Sequence, residues 1–572
     1  MKNQADILTG ENTSQLNDPG INTTLSGNPR KPQRTRKAGL AQKIFLIIAV
    51  IATFGWMLSS SLLWTEFDVA DRNAFEQMDY WYEAMTLEHL LNRELLPSLS
   101  YFAEQATPLP TASVHRSINL ILHLTAAFLL LHLLQRFNLS GAFAATLVFA
   151  LHPAVVQTLF WPGYRVELIG LISILLAVIV TLQQNKNYYL LSLLFCTLAI
   201  FLHPAAVFLP VILALCIYFK EKEFALENFN PVLPLSCATL LINAWMQSKV
   251  ITATESSPTL QVWLYYAGQN IYFFLRQALY PGNPSLFYPY DTESLEQATI
   301  DLNLLPFCLF LPFYIIAFIK LRQPWGRALL LGLTSFILLL LPGIQSPGAN
   351  LAGNPAHEDY NLYIALPPLI ALIVCGTKTI VNRVARTGKG LWYIALSLFL
   401  VFEVIKSANF SYLLRSSENM WRVQSKQWPD QWIPSAALAR ELQNQESTSV
   451  KQRELKRLLE SLLDTHPDRL PERMLLLQAY LDTEEKNNAL NQYRYILRET
   501  EPPLPFMQEA AAFFDSMNLT REAERTRARL QQRLDPPPKT EIQKPTAASI
   551  LQNLAGEVSS PEPLQEQPSL KD

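Results

Sequence analysis

Long apolar segments recur along this chain and constrain its fold more than any other feature. The first runs over 42–64, and ten more follow. An apolar run near 20 residues is long enough to cross the hydrocarbon core of a bilayer as an α-helix. Half of the 572 residues are hydrophobic and 16% are charged, which is a low charged fraction for a soluble protein. The sequence therefore predicts an all-α polytopic membrane protein with about 11 transmembrane helices. The ten later segments are 113–136, 139–160, 165–183, 187–202, 204–219, 231–247, 303–320, 326–343, 361–377 and 390–409.

Basic residues between these segments predict the orientation of the chain. The basic run 30–37 directly precedes the first segment, whereas the loop ends around His203 and over 343–360 contain no Lys or Arg. An excess of Lys and Arg marks cytoplasmic loops, so we expect a cytoplasmic N-terminus. The expected location is a bacterial-type inner membrane. Segment 260–280 is also long enough to span. Spanning would place the basic cluster at 378–389 outside, so we predict an amphipathic helix lying on the outer surface.

The composition becomes that of a soluble protein after about residue 409. Six helical patterns separated by short turns occupy 435–534, which favours an α-solenoid of tetratricopeptide type over 410–535, on the periplasmic side. The flanking expectations are a disordered basic tail over 1–41 and a disordered Pro- and Glu-rich tail over 536–572. Loop 65–112 and segment 248–302 are expected on the outer face. All five cysteines lie in apolar segments without metal-ligand spacing, which indicates packing residues.

Polar residues gather at the ends of the apolar helices between 115 and 167. If the first two helices of this stretch are antiparallel, most of these residues meet at one membrane surface, where we expect a site, because charges persist in such helices mainly at cavities and interfaces. Asn119 and His123 lie one helical turn apart and are expected to bond neighbouring helices. Arg165 could bind a lipid phosphate or anchor its helix at the headgroups, and Glu167 could pair with it. The polar residues are His115, Arg116, Asn119, His123, His152, Arg165 and Glu167.

The same stretch resembles a known family. Asn119 and His123, ALHP at 150–153, Trp161 and RVEL at 165–168 resemble the pattern of the tetratricopeptide-containing O-mannosyltransferase-like proteins, which belong to the GT-C glycosyltransferase superfamily. RQALYPGNPSLFYPY and EDYNLYIALPPLIAL resemble two later family segments. The resemblance covers about 45–430 and matches the C-terminal domain in architecture alone.

The resemblance implies transfer of a sugar from a polyprenyl-phosphate donor to an outer-face acceptor, either a protein or a glycan. It also implies a carboxylate base in the first outer loop, where Asp68 and Asp71 are the candidates. Arg165, His152, Arg116 and His115 would bind the donor phosphate. A divalent metal is possible, with Glu358 and Asp359 as candidate ligands. The solenoid would recruit the acceptor or a partner protein, and no nucleic acid partner is expected.

Several positions depart from the family pattern. Val155 and Gln157 stand where the family has a histidine and an acidic residue, and His203 lies in FLHPAA where a Ser-Lys-Glu step is usual. Asp359 or Asn361 replaces an arginine. A non-catalytic membrane scaffold of the same fold, acting through its solenoid, is therefore the alternative hypothesis. An O-antigen ligase-like protein would need an outer loop rich in Arg and His, which the sequence lacks.

Overall fold

The computed structural model describes residues 31–55, 111–183, 188–221, 260–282, 305–343, 359–384, 388–414, 416–444 and 448–534, together with residues 241, 285 and 288. These described residues form 19 α-helices joined by turns and short 3-10 segments, and contain no β-strand. The expectation of an all-helical fold is confirmed. The chain divides into a first unit, Met1–Gln424, and a second unit, Ser425–Asp572, so the division falls later than the predicted boundary near 410.

Twelve helices and most of a thirteenth belong to the first unit. They are α1 (Lys31–Phe54), α2 (Thr111–Arg136), α3 (Ala142–Leu151), α4 (Val155–Phe160), α5 (Arg165–Thr181), α6 (Tyr189–Leu202), α7 (Leu209–Glu221), α8 (Leu260–Leu279), α9 (Leu305–Ile319), α10 (Pro324–Leu340), α11 (Leu366–Val384), α12 (Gly388–Leu413) and α13 (Ser417–Gln427). Helices accompany ten of the eleven predicted apolar segments. The segment 231–247 lies outside the described residues apart from residue 241.

Three of these helices are long and apolar enough to cross a membrane by length and composition. They span Val114–Arg136, Pro204–Glu221 and Gly388–Leu413. Shorter apolar helices accompany them, including Ala142–Leu151 and Tyr189–Leu202. On α12, Leu398 and Val401 are more than half exposed, whereas Glu403 on the same helix is buried. An apolar exposed face opposite a polar buried face is the pattern of a helix that meets lipid on its outer side.

The structure corrects two predicted boundaries. Helix α1 begins at Lys31, inside the basic stretch for which disorder was predicted, and Pro32 occupies its first turn. Proline is tolerated in the first turn of a helix because the missing N–H has no intrahelical acceptor there. The predicted continuous helix over 139–160 is instead two helices, because His152 precedes Pro153 and takes an extended conformation with ψ of 136°. A residue before proline disfavours the helical region, so α3 ends there.

Side-chain contacts gather four basic residues at one end of the first unit, which we call the basic end. Arg136 donates to the Ile179 carbonyl at 3.1 Å, and Lys220 donates to the Leu182 carbonyl at 3.1 Å. The remaining two are Arg327, which lies over the Tyr218 ring at 5.9 Å, and Lys378, which packs against Gly141. Gly141 has φ of +92°, so the turn before α3 needs a residue that tolerates the left-handed region.

The opposite end contains the polar residues that begin α2 and α5 and end α3 and α6. We call it the histidine end, because His115, His152 and His203 lie there. Hydrogen bonds connect the start of α5 to α2, and connect the α3–α4 turn to the last turn of α8. The predicted gathering of polar residues at a single end of antiparallel helices is therefore what the structure shows.

The second unit contains three consecutive helical pairs. They are α14 (Trp432–Asn444) with α15 (Ser449–Thr465), α16 (Leu470–Asp482) with α17 (Lys486–Glu499), and α18 (Leu504–Ser516) with α19 (Thr520–Leu534). Their cores are formed by buried apolar residues such as Leu459, Leu476 and Phe514. The amphipathic spacing of these residues explains why each helix packs against its partner.

The turns inside the second and third pairs repeat 34 residues apart. Glu484 and Asn518 both have positive φ, of 58° and 60°. The amide that follows each one bonds back to a carbonyl five residues earlier, from Glu485 to Tyr480 at 2.9 Å and from Leu519 to Phe514 at 2.8 Å. This left-handed helix ending satisfies carbonyls of the last helical turn. The second unit therefore repeats in geometry where its sequence shows no full consensus.

Candidate functional site

Arg165 is the centre of the polar cluster at the histidine end. It is fully buried at the first position of α5. Its Nε donates to Asn119 Oδ1 at 2.8 Å, and its Nη2 donates to the His115 carbonyl at 3.3 Å. The two bonds point to different residues of α2, so the planar guanidinium fixes the start of α5 against the start of α2. This places Arg165, Asn119 and His115 together.

Asn119 extends this cluster to the segment between α4 and α5. Its Nδ2 donates to the Leu159 carbonyl at 3.3 Å and to the Trp161 carbonyl at 3.2 Å. Asn119 thus uses both its amide oxygen and its amide nitrogen, as a buried side-chain amide must. Arg116, which is 6% exposed, stacks over the Phe160 ring at 4.3 Å. Two arginines and His115 therefore lie around the turn that contains Trp161.

His123 lies one turn deeper on the same face of α2, as expected. Its Nε2 is 3.1 Å from the Ala150 carbonyl, and its Nδ1 is 2.9 Å from the Tyr363 hydroxyl. A carbonyl can only accept, so Nε2 carries the hydrogen of this contact. His123 joins α2 to α3 and to the residue stretch before α11, in agreement with the expected role of bonding neighbouring helices.

Glu167 pairs with His203 and not with Arg165, which had been the expected partner. His203 Nε2 lies 3.0 Å from Glu167 Oε1, and both side chains are buried. The Ala205 amide donates to His203 Nδ1 at 3.1 Å, which leaves Nε2 as the donor to the carboxylate. Gly170, one turn after Glu167, permits the close approach, since an added Cβ would lie 3.0 Å from His203 Cβ.

His152 repeats the local geometry of His203. Both lie in a Leu-His-Pro-Ala sequence at the end of a helix, and the Ala154 amide donates to His152 Nδ1 at 3.1 Å. Its Nε2 is 3.3 Å from the Ala278 carbonyl and 3.9 Å from Glu403 Oε2. Each of the two turns therefore presents one imidazole N–H to a neighbouring helix. A different glutamate lies close to each histidine, Glu167 to His203 and Glu403 to His152.

Asp359 accepts hydrogen bonds from two neutral side chains. Gln277 Nε2 donates to its Oδ1 at 3.0 Å, and the Tyr288 hydroxyl donates to its Oδ2 at 3.1 Å. The next amide, of Tyr360, donates to Gln157 Oε1 at 3.2 Å, and Tyr360 stacks on Tyr164 at 4.0 Å. Gln157 thus holds the backbone of Tyr360 in place. The O-mannosyltransferase-like family that the sequence resembles has an acidic residue at this position. This network joins the end of α8 to the segment before α11.

Some predicted site residues lie outside the described residues. These are Asp68, Asp71 and Glu358. In the part of the chain that the structure describes, no group of three or more His, Cys, Asp or Glu side chains could hold a metal ion. Asp359, the metal candidate among the described residues, bonds Gln277 and Tyr288.

Sequence reasoning overlooked three residues that the structure places beside the predicted ones. Tyr363 bonds His123, Gly170 packs against His203, and Glu403 lies near His152. Glu403 had a detectable signal, because an acidic residue inside an apolar segment such as 390–409 is costly and is retained mainly where it has a role. Tyr363 and Gly170 had no such signal, because their partners are distant in sequence.

Comparison with known proteins adds no assignment. No protein-family model, curated protein or solved structure matches this chain.

Proposed function

We propose that this protein is a membrane glycosyltransferase of the GT-C type, which transfers a sugar from a polyprenyl-phosphate donor to an acceptor on the outer face. In this proposal the histidine end faces outward and the basic end faces the cytoplasm. The second unit is a tetratricopeptide-like domain that recruits the acceptor. About eleven transmembrane helices, a cytoplasmic N-terminus and a periplasmic second unit complete the topology in a bacterial-type inner membrane.

The observation that carries the proposal is the convergence of two arginines at the histidine end. Arg116 of α2 lies over Phe160 at the end of α4, and Arg165 at the start of α5 bonds Asn119, which in turn donates to the Trp161 carbonyl. A phosphate leaving group develops negative charge as the sugar is transferred, and guanidinium groups stabilise such charge well. His115, on the same turn of α2 as Arg116, adds a third nitrogen-bearing side chain.

The segregation of charge supports the orientation. Arg136, Lys220, Arg327 and Lys378 gather at the basic end, as the contacts along the helices show. Cytoplasmic ends of transmembrane helices are enriched in Lys and Arg. The 34-residue spacing of the turns at Glu484 and Asn518 supports the tetratricopeptide-like assignment, because that repeat has this length.

A specific observation favours the second candidate function, a non-catalytic membrane scaffold. The buried polar side chains at the histidine end are engaged within the fold: Arg165 bonds Asn119, Glu167 bonds His203, and Asp359 bonds Gln277. Such bonds hold helices together without any ligand. In this case the second unit alone would carry the function, through a protein partner.

A transfer assay with a matched pair of variants separates the two functions. Arg116 and Arg327 are 6% and 5% exposed, and each stacks over an aromatic ring, but they lie at opposite ends of the first unit. Membranes containing wild type, Arg116→Gln or Arg327→Gln would be given polyprenyl-phosphate-linked radiolabelled hexoses. Incorporation of label into protein or glycan would then be measured at equal protein abundance.

The enzyme proposal predicts at least a tenfold loss of transfer for Arg116→Gln, with Arg327→Gln close to wild type. Asp68→Asn and Asp71→Asn, at the predicted base positions, should also lose transfer. No protein-dependent transfer in wild type with any hexose, alongside specific capture of a partner by the second unit, would instead establish the scaffold.

A further inference from the structure

Glu403 is a buried carboxyl group that the proposed transfer reaction does not use. It lies within α12, one of the three helices able to cross a membrane, and has no exposed surface. Among the described residues, neither of its carboxyl oxygens has a hydrogen-bond partner. An ionised carboxylate in such a place costs several kcal/mol unless it is paired and hydrogen-bonded. The groups packed around Glu403 therefore determine whether its carboxyl group is ionised.

Two serines continue the buried polar face of α12 towards the histidine end. Ser407 and Ser411 follow Glu403 at spacings of four residues, and both are fully buried. Ser407 Oγ donates to the Leu151 carbonyl at 2.7 Å. Ser411 Oγ has no hydrogen-bond partner among the described residues. Residues four apart lie on one face of a helix, so these three form a polar stripe directed at the α3–α4 turn.

His152, in that turn, is the titratable group that faces Glu403. Its Nε2 lies 3.9 Å from Glu403 Oε2, too far for a hydrogen bond, and 3.3 Å from the Ala278 carbonyl. Because Nδ1 accepts from the Ala154 amide at 3.1 Å, the hydrogen of the neutral ring is on Nε2. One N–H therefore has two possible acceptors, a carbonyl of α8 and a carboxyl group of α12.

Charged side chains on α8, α11 and α12 lie over aromatic rings. Lys406, on α12 itself, lies over the Phe402 ring at 5.7 Å, and Arg276, on α8, lies over the Phe273 ring at 5.6 Å. On α11, Lys378 lies over Trp392 and Tyr393 near the basic end. Lys43 of α1, Arg383 of α11 and Lys389 of α12 are exposed. Helices α3 and α4 carry no Lys, Arg, Asp or Glu.

We propose that Glu403 and His152 form a proton-binding site inside the first unit. Glu403 carries the proton in the arrangement seen here, while His152 donates to Ala278. Loss of that proton creates a carboxylate, which is a stronger acceptor than a carbonyl. The His152 N–H then donates its hydrogen bond to the Glu403 carboxylate and no longer to the Ala278 carbonyl. The end of α8 thereby loses its bond to the α3–α4 turn.

Infrared spectroscopy of the purified full-length protein tests the protonation directly. Wild type at neutral pH should show a carboxylic-acid C=O band that is lost in Glu403→Gln. The control is Glu472→Gln, because Glu472 is also buried but forms an ion pair with Arg440 Nη2 at 2.9 Å. The control variant should keep the band. Absence of the band from wild type, or an equal band in Glu403→Gln, would overturn the proposal.

Nitrogen-15 NMR of labelled histidine tests the second step. The His152 resonance is identified by its loss in His152→Gln. As the pH is raised above neutral, the His152 Nε2 resonance in wild type should shift together with the loss of the infrared band. In Glu403→Gln, which cannot ionise at that position, the shift should be absent. A resonance that moves equally in both proteins would refute the exchange of acceptors.

Discussion

Replacement of Arg165 should destabilise the first unit more than replacement of any partly exposed arginine. Arg165→Met keeps a long unbranched side chain but removes the donors to Asn119 Oδ1 and the His115 carbonyl, at 2.8 and 3.3 Å. Hydrogen bonds to charged groups contribute about 1.5 to 3 kcal/mol each, and the longer bond belongs at the low end. The expected loss is about 3 to 4 kcal/mol in the free energy of unfolding, or a few hundredfold in the equilibrium constant.

Arg165→Lys refines this prediction. An ammonium can reach one of the two acceptors but not both, because it is a single point and not a planar fork. We expect a loss of about 1.5 kcal/mol, between wild type and Arg165→Met. The ordering of the three proteins tests the geometry as well as the charge.

The assay is equilibrium unfolding in mixed micelles, followed by circular dichroism during titration with a denaturing detergent. Arg136→Met is the control, since Arg136 also donates two bonds, to the Ile179 carbonyl at 3.1 Å and Gln183 Oε1 at 2.7 Å, but is partly exposed. Its loss should stay within about 1 kcal/mol, because solvent replaces bonds at the surface. Unfolding of Arg165→Met within about 0.5 kcal/mol of wild type would show that these two bonds do not stabilise the first unit.

Three other predictions concern packing, acid response and topology. Gly170→Ala should cost about 1 to 3 kcal/mol in the same unfolding assay, because the added methyl would crowd His203 Cβ at 3.0 Å; an unchanged midpoint would contradict this packing. In the second unit, the Lys456 ammonium bonds Glu485 and lowers the pKa of its carboxyl group, so the unfolded state takes up a proton at higher pH than the folded state. Stability from this pair is present above the ordinary carboxyl pKa and lost on acidification, and Lys456→Met should flatten the dependence of the thermal midpoint on acidic pH. A periplasmic reporter fused at Ser416 should be active, whereas activity of a cytoplasmic reporter there would refute the proposed orientation.

The apolar segments predicted the helices well, because whether an apolar segment forms a helix depends on residues that are close together in the sequence. The start of α5 at Arg165 and the end of α6 before His203 agree with segments read from composition alone. Local sequence also contained the reason for the break at His152, namely Pro153, which lies within the apolar run 139–160. Proline outweighs apolar continuity there because it restricts the backbone of the residue before it.

Pairing between distant residues could not be predicted in the same way. Glu167 and Arg165 are close in sequence, which suggested a pair, yet they lie two residues apart on α5 and so do not face each other. The partner of Glu167 is His203, 36 residues later, and the residue facing His152 is Glu403, on the last helix before the α13 segment. Such contacts depend on how helices pack and are not written in local periodicity.

Photocrosslinking with a photoreactive polyprenyl phosphate shows where the donor binds in the first unit. Membranes with equal amounts of wild type, Arg116→Gln and Arg327→Gln would be labelled, and the crosslinked peptides identified by mass spectrometry. Donor binding at the histidine end predicts wild-type labelling within α2, α4 or the start of α5, a several-fold loss in Arg116→Gln, and no loss in Arg327→Gln. Equal labelling of all three proteins, or labelling confined to the basic end, would contradict it.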